Sequence, residues 1–308
     1  MKWTKRLSVV IFAAAAVLFV FCLYHTVRNG DSQGPVIVME DQVIQVSIQS
    51  GEQELLAGIR AEDLKDGDVT DSLMVEYLSN FIGDGERKAG VAAFDSAGNI
   101  GKAVRTIRYT DYRSPEFSLS APLRFAAGTN ADKLVQSMRA DDCLDGDISR
   151  WIQQYNGDGS VFNSAVPGIY PIIFSISNSA GDVEKFQAQV EIYDPAEEVS
   201  APQLYLTEYL IYLGKGDHFD PMEYLSRIIV DGIKYQKTAD GVLTCVLDLE
   251  EQKEYPDTEI RTYDQGNIQV RNPVDTNECG WYEVSYTLAD SADIERTVRM
   301  IVCVREEN

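Results

Sequence analysis

The stretch Asp95-Ser96-Ala97-Gly98-Asn99 decides the fold, because related stretches recur twice in the chain. Nine residues separate each from a preceding glycine, and the three pairs are Gly85 with Asp95-Ser96-Ala97, Gly168 with Asn178-Ser179-Ala180, and Gly280 with Asp290-Ser291-Ala292. The steps between these glycines are 83 and 112 residues. Such steps are far above solenoid periods and close to the size of a small β-sandwich. The chain therefore contains three repeats.

A second landmark lies upstream of each glycine and keeps its spacing. A proline precedes an Asp-Gly pair by 31, 30 and 29 residues, and these pairs are Pro35 with Asp66-Gly67, Pro115 with Asp145-Gly146, and Pro202 with Asp231-Gly232. The spacing persists while the residues between change, which indicates shared structure. Repeats one and two extend the pair to Asp-Gly-Asp, whereas repeat three loses the second aspartate.

The segment after each repeated glycine is predicted to be a strand that ends in a tight turn. Tyr170, Ile172, Phe174 and Ile176 alternate with their neighbours, and a period of two means one buried face. The turn needs a residue with positive φ. Gly98 and Gly181 supply it in repeats one and two, and Asp293 takes that place in repeat three. A second strand follows each turn, at 103–109, 186–193 and 296–304.

Helical periodicity is short and limited to 132–138 and 221–227 within the repeats. Seven or so strands per repeat with turns between them predict an all-β fold of three tandem immunoglobulin-like β-sandwiches. The predicted domains are 35–111, 112–195 and 201–308. The third domain carries an insertion at 233–279, in which 243–249 is predicted to add a pair of strands.

The N-terminus is predicted to be a membrane anchor. Residues 1–6 form a basic cytoplasmic tail, 7–24 an uncharged transmembrane signal-anchor helix, and 25–34 a linker. Eighteen helical residues would span about 27 Å, near the hydrocarbon thickness of a bilayer. Basic residues ahead of the helix place the remainder of the chain outside the cell. A cleaved signal peptide is the main alternative, and a lipoprotein signal at Cys22 is disfavoured by the bulky Phe21.

The part after residue 24 holds 24 Lys+Arg against 49 Asp+Glu, a net charge of −25. This acidity argues against nucleic-acid partners and suits cations, basic partners or simple solubility. Five cysteines are present. One disulfide is possible in the third repeat, with three candidate pairings among Cys245, Cys279 and Cys303. Partners are therefore expected to be the membrane, through the N-terminal helix, and a protein or a cell-wall glycan.

The combination of Asp-Gly-Asp, Gly-x-Tyr and Asp-Ser-Ala-Gly-Asn resembles the bacterial immunoglobulin-like domains of pesticidal crystal proteins and Gram-positive surface proteins, and is similar to hyalin repeats. Repeat one departs from it at Arg87, where the pattern has tyrosine. Repeat two has Asn178 and Asp182 as variants, and repeat three keeps Gly280-Trp281-Tyr282. The resemblance covers about 270 residues. It implies modular extracellular use and no catalytic activity.

In such a sandwich the Asp-Gly turn and the final hairpin share one pole. In repeat one this would gather Asp63, Asp66, Asp68, Asp95 and Asn99. We predict a Ca²⁺ site at the junction of repeats one and two, where carboxylates supply the oxygen ligands that Ca²⁺ takes. Its candidate ligands are Asp111, Asp141, Asp142, Asp145, Asp147 and Asp182. The alternative is turn chemistry, in which aspartates cap backbone N–H groups. No other cofactor is predicted.

Catalysis is not expected. The chain has two histidines, His25 and His218, and lacks a Gly-x-Ser-x-Gly elbow and a phosphate loop. Exposed aromatic rings could stack on sugars, although strand aromatics commonly belong to a core. The aromatic candidates are Trp151, Tyr155, Phe162, Tyr205, Tyr209, Tyr212 and Tyr224.

The function expected is a membrane-anchored extracellular stalk or an adhesion and interaction surface at the cell envelope. The alternative is a receptor that binds a ligand or a glycan in the third-domain insertion. A groove lined by aromatic and polar residues in 231–280 would favour the receptor, and a flat charged surface would favour the stalk.

Overall fold

The computed structural model describes residues 2–29, 31–83, 85–130, 132–157, 162–196, 201–246 and 261–306. The chain divides into two compact units, residues 1–112 and 113–308. The first holds repeat one, and the second holds repeats two and three. Parts of the insertion (247–260) and of the boundary before repeat three (197–200) lie outside the described residues, so the predicted domain limits stay a prediction.

Unit 1 begins with a long helix and continues as two sheets. Its elements are α1 (Lys2–Asn29), β1 (Val36–Met39), β2 (Val43–Val46), α2 (Glu52–Leu55), β3 (Ile59–Asp63), β4 (Gly67–Asp68), β5 (Met74–Gly83), β6 (Glu86–Phe94) and β7 (Ile100–Tyr109). The sheet orders are β1-β3-β4 and β2-β7-β6-β5. Among the described residues, no helix combines the length and the apolarity needed to cross a membrane.

Repeat two has the same plan. Its elements are β8 (Glu116–Leu119), β9 (Arg124–Ala126), α3 (Asp132–Gln136), β10 (Met138–Asp142), β11 (Gly146–Asp147), β12 (Gln153–Asn156), β13 (Gly168–Ser177) and β14 (Val183–Tyr193). The sheets run β11-β10-β8 and β12-β13-β14-β9. The alternation predicted for β13 is confirmed, because Ile172, Phe174 and Ile176 are buried in turn.

Repeat three enlarges one sheet. Its strands are β15 (Gln203–Leu206), β16 (Leu210–Gly214), β17 (Leu225–Val230), β18 (Ile233–Lys237), β19 (Leu243–Cys245), β20 (Thr262–Tyr263), β21 (Gln269–Arg271), β22 (Gly280–Ala289) and β23 (Glu295–Arg305). The sheets run β15-β17-β18-β19-β20 and β16-β23-β22-β21. The described part of the insertion thus adds strands to the first sheet. The predicted helix at 221–227 is a 3-10 turn at Pro221–Tyr224.

The first two strands of each repeat belong to different sheets. The first strand pairs antiparallel with a strand of one sheet, and these pairs are β1 with β3, β8 with β10, and β15 with β17. The second strand joins the other sheet, where it lies parallel to the last strand of the repeat. These parallel pairs are β2 with β7, β9 with β14, and β16 with β23. Because the entering and leaving strands run in the same direction, the chain enters each sandwich at one pole and leaves near the other.

The two units differ in their cores. Unit 1 has a small cluster in which Leu55, Ala89 and Ile107 are buried. In unit 2 the buried residues of repeats two and three form one continuous cluster. A chain of rings crosses between the repeats, with Phe186 stacked on Trp281 at 4.7 Å between centroids. Repeats two and three therefore share packing, although each has its own pair of sheets.

Candidate functional site

One hydrogen-bonded contact, which we call the clasp, recurs at the pole of every repeat. The first aspartate of the Asp-Gly pair accepts hydrogen bonds from the backbone N–H and the hydroxyl of the serine in the repeated turn. The distances are 2.7 and 3.0 Å for Asp66 with Ser96, 2.6 and 2.8 Å for Asp145 with Ser179, and 3.0 and 2.7 Å for Asp231 with Ser291. The clasp explains why the two motifs occur together, since each supplies half of it.

The turn beside the clasp has the conformation expected from the sequence. Gly98 and Gly181 have φ of 86° and 80°, and Asp293 has φ of 60°. The prediction that an aspartate replaces glycine in repeat three is therefore confirmed. The residue that opens each turn accepts backbone N–H groups across it, as Asp290 does from Ala292 and Ile294, both at 2.9 Å. These bonds hold the hairpin closed at the pole.

The second aspartate of Asp-Gly-Asp caps the 3-10 turn that comes after it. Asp68 accepts from the N–H of Thr70 at 2.9 Å, and Asp147 accepts from the N–H of Ser149 at 3.0 Å. Hydrogen bonds from Thr70 and Ser149 hold the pKa of Asp68 and of Asp147 below the usual range. The preceding glycines, Gly67 and Gly146, have positive φ. The motif thus has the capping geometry that turn chemistry predicts.

The six residues predicted to bind Ca²⁺ divide between the two units. In unit 1, Asp111 accepts hydrogen bonds from the Ser47 hydroxyl at 2.6 Å and from the Ile48 N–H at 2.8 Å, and these lower its pKa. In unit 2, Asp145 and Asp147 form the clasp and the cap, and Asp142 is buried. Asp141 is exposed, and Asp182 is half-buried beside the turn. The predicted Ca²⁺ site at these residues stays a prediction.

A different group of acids comes together at the pole of repeat one. Among the described residues, Asp31, Asp63 and Asp95 each have a carboxylate oxygen within 4.8 Å of one from each of the others. Burial raises the pKa of Asp95, but hydrogen bonds from the Asn99 side chain and the turn amides outweigh it and hold the pKa low. Sequence reasoning placed Asp63 and Asp95 at this pole but missed Asp31. The sequence does contain a signal for Asp31, because this residue precedes Pro35 by four residues, as Asp111 precedes Pro115.

An open groove of about 470 Å³ on unit 2 lies between the start of the insertion (236–241) and residues that precede the insertion. Its lining includes Thr207, Glu223, Gln236, Lys237, Thr238 and Asp240. Lys237 donates to the carbonyl of Met222 at 2.6 Å, so its ammonium is partly engaged. No aromatic ring lines the described part of this groove.

Most of the aromatic candidates pack against the core. Tyr209 is buried, and Trp151, Phe162, Tyr212 and Tyr224 are partly buried against the cluster of unit 2. Tyr205 lies under the Arg227 guanidinium at 4.0 Å. Tyr155, by contrast, is 51% exposed.

The cysteines are free thiols. Cys303 is buried, and burial raises its pKa to about 12. Cys143 donates to the carbonyl of Arg113 at 3.1 Å, and burial raises its pKa as well. Cys245 is half-buried, and Cys279 is exposed. Cys279 is therefore the most accessible thiol of unit 2 in this structure.

No protein-family model and no curated protein matches the chain. Among solved structures, the chain is similar to a lipoprotein from Bacteroides thetaiotaomicron at 13% identity, covering 61% of this chain and 98% of that one with a TM-score of 0.22. It is similar to the CBM51-2 and INT domains of Clostridium perfringens ZmpB at 16% identity (51% and 41% covered, TM-score 0.21). It is also similar to the protocadherin GammaB4 extracellular domain at 13% identity (88% and 49% covered, TM-score 0.17). The chain spans less than half of the last two.

Proposed function

We propose that this chain is a membrane-tethered extracellular protein whose β-sandwich repeats serve as a spacer and interaction surface at the cell envelope, without catalysis. The observation that carries the proposal is the parallel pairing of the entering and leaving strands in every repeat. A sandwich connected in this way holds the next part of the chain at the pole opposite to its entrance. This connection lets modules follow one another along the chain, which is the organisation that a spacer uses.

The packing between repeats two and three supports a stiff spacer. Tyr212 accepts a hydrogen bond from the Phe117 N–H at 2.7 Å, which ties the first strand of repeat two to repeat three. The Arg299 guanidinium of repeat three lies 3.4 Å from Glu191 of repeat two, which adds an ion pair between the same repeats, and 3.5 Å from Glu283 of its own repeat. Together with the ring stack at Trp281, these contacts resist bending within unit 2.

Although no described helix is long and apolar enough to cross a membrane, the exposed side chains of the first helix support tethering. The side chains of residues 11–24 are all exposed, and they include Phe12 at 77%, Phe19 at 66% and Leu18 at 63%. An apolar surface on every side of a helix is unfavourable in water and favourable in a bilayer. Lys2, Lys5 and Arg6 lie at the start of this helix, before its apolar part, and such a charge distribution would leave the rest of the chain outside the cell.

Thiol labelling tests the placement. A membrane-impermeant maleimide applied to intact cells should label the full-length protein at Cys279, and Cys279→Ser should remove most of the label. Cys245→Ser is the matched control, because the half-buried Cys245 should contribute little. Labelling that appears only after the cells are lysed would contradict the extracellular placement.

The alternative is a surface receptor that binds a glycan in the groove of the insertion. Hydroxyl, amide and carboxylate groups in that groove can hydrogen-bond a sugar. A glycan array with the full-length protein, repeated with Gln236→Ala, separates the two functions. A ligand lost in that variant would favour the receptor, whereas an array without a ligand would leave the spacer as the better account.

A further inference from the structure

A tyrosine ring lies flat against the outer face of the four-stranded sheet of unit 1. Tyr77 on the edge strand β5 pairs with Gly90 on β6. A Cβ on Gly90 would lie 2.1 Å from Cε1 of the ring and only 2.5 and 2.7 Å from Cδ1 and Cζ, the two ring atoms bonded to Cε1. Such similar distances mean that the glycine faces the plane of the ring rather than its edge. Because Tyr77 is nevertheless 48% exposed, the opposite face of the ring is open to solvent.

The apolar surface continues from this ring onto the next strand. Gly90 pairs on its other side with Val104 of β7, which is 46% exposed. The ring of Tyr77 and the side chain of Val104 therefore form one exposed apolar strip across three strands, which we call the platform. Covering a glycine with a ring stabilises a sheet by itself. An aliphatic side chain would also cover Gly90, but it would expose no aromatic face.

Polar side chains flank the platform on both sides. Lys88 and Thr106 pair with each other across β6 and β7 on one side. On the other side Lys102 forms an ion pair with Glu76. Side chains on one face of a strand recur every two residues, which is about 7 Å. Ammonium, hydroxyl and carboxylate groups thus lie within reach of a ligand one ring wide that sits on the platform.

Repeat two has a tyrosine at the same register but no platform. Tyr155 pairs with Ile173, which stands where repeat one has Gly90. Tyr155 is 51% exposed, so it is as accessible as Tyr77. Any side chain at the glycine position occupies the space of a flat ring, and the Tyr155 hydroxyl donates to the side chain of Gln153 instead. The glycine, rather than the tyrosine, is what distinguishes repeat one.

A peptide is a poorer match to this surface than a ligand that stacks. An extended peptide binds a sheet at a free strand edge, and β5 is such an edge. Its register against β6 shifts between Val75 and Tyr77 and twice more before Gly83. Shifts of this kind disrupt the ladder that an added strand needs. The face of the sheet, not its edge, is therefore the binding surface.

We propose that the platform binds a pyranose ring of a cell-envelope glycan by stacking on Tyr77. The proposal rests on the proposed extracellular function and names the class of partner for its interaction surface. A pyranose with equatorial hydroxyls presents C–H groups on its flat face and hydroxyls around its rim. The C–H face matches the exposed ring, and the rim hydroxyls match the flanking donors and acceptors.

Ligand-observed NMR of the full-length protein in detergent tests this with chitotetraose and cellotetraose, two oligosaccharides of equatorial pyranoses. Each is added up to about 10 mM, because a single open contact surface binds weakly. We expect saturation transfer that is strongest at the C–H protons of one sugar face. Tyr77→Ile keeps an apolar cover on Gly90 but removes the ring, so it should weaken binding by about 10-fold. Tyr77→Phe keeps the ring and should bind within about twofold of the wild type.

Tyr155→Ile is the matched control, because it removes an equally exposed tyrosine at the same register and should leave binding unchanged. The proposal fails if neither oligosaccharide binds, or if Tyr77→Ile and Tyr155→Ile weaken binding equally. Weakening by Gln236→Ala but not by Tyr77→Ile would place the sugar in the groove on unit 2 and reject the platform. Self-association of the wild type that Tyr77→Ile abolishes would assign the platform to a second copy of the chain and reject the glycan.

Gly90→Ala tests the flat placement of the ring while every side chain of the platform remains. Its Cβ displaces only the far end of a side chain, so the sheet should persist and binding should weaken about as much as in Tyr77→Ile. Unchanged binding in this variant would reject the flat ring as the contact. Thiol labelling at Cys279 tests the proposed function separately. A protein that is labelled on intact cells but binds neither oligosaccharide would lose the platform and keep the spacer.

Discussion

Replacing Gly101 by alanine gives a direct test of how β1 is held against β7. The added Cβ would lie 1.9 Å from the Pro35 carbonyl oxygen and 2.9 Å from its carbon, both backbone atoms. Ordinary contacts begin at 3.4 Å, so the backbone at Pro35, just before β1, must move by more than about an ångström. No side-chain rotation can relieve this overlap. The stability lost in Gly101→Ala therefore reports how much unit 1 depends on the close approach of these two backbone segments.

The expected cost results from two opposing effects. Overpacking a filled site costs about 1–3 kcal/mol, and more where the backbone itself must shift. Alanine recovers about 0.4–1 kcal/mol by restricting the unfolded chain. We expect a net destabilisation of unit 1 of about 2 kcal/mol. For a domain of this size, that lowers the unfolding temperature by about 8–16 °C.

Hydrogen exchange of the full-length protein, read by mass spectrometry, assigns the loss to a unit. Amides of β6 and β7 should exchange about 30-fold faster in Gly101→Ala if they open with unit 1, while those of unit 2 should not change. Gly83→Ala is the matched control, because its Cβ meets no atom within 4 Å and should leave stability unchanged or slightly higher. If the two variants exchange alike, the close approach does not hold the strand.

Two further predictions concern unit 2. Asp145→Ala removes both hydrogen bonds to Ser179 and should lower the free energy of unfolding of unit 2 by about 1–2 kcal/mol in a urea titration. The control is Asp141→Ala, at an exposed neighbouring residue, which should change the free energy of unfolding by less than about 0.5 kcal/mol. Equal effects of the two variants would reject the clasp as a stabilising contact. On acidification, burial raises the pKa of Glu283, so stability should rise as the pH falls from neutral through that raised pKa. Hydrogen bonds from Ser149 lower the pKa of Asp147, so its contribution should be lost below the ordinary aspartate value of 3.8. Unfolding temperatures should therefore be highest near about pH 5, and a steady fall from neutral pH would contradict these assignments.

Local features of the fold could be predicted from the sequence because their causes are local. A turn that needs positive φ selects glycine or aspartate, so the hairpins at Gly98, Gly181 and Asp293 could be identified one residue at a time. Strand alternation at β13 likewise reflects a period set by the backbone. These predictions required no knowledge of the residues on the other side of the sandwich.

Contacts between distant segments were predicted only to the level of a shared pole. The two halves of the clasp are 30, 34 and 60 residues apart, and their pairing depends on how the sheets stack. The joint between Phe186 and Trp281 depends on the relative orientation of two repeats, which no local pattern encodes. Asp31 was assigned to the linker because the close approach of Gly34 to Ile100 has no signature in either segment alone.

Differences among the repeats separate what the fold requires from what it permits. The clasp occurs in all three repeats, so its residues are accounted for by folding. The neighbouring position varies, with two buried carboxylates in repeat one, a buried carboxylate and a buried amide in repeat two, and in repeat three the half-buried Asp290, whose Oδ1 accepts turn N–H groups. The sandwich thus forms without the acidic pair, which means that folding does not explain Asp63 and Asp95 facing each other. Replacing Asp95 with asparagine should therefore keep the sandwich of repeat one, because repeat two folds with Asn178 hydrogen-bonded to Asp142 at the same place.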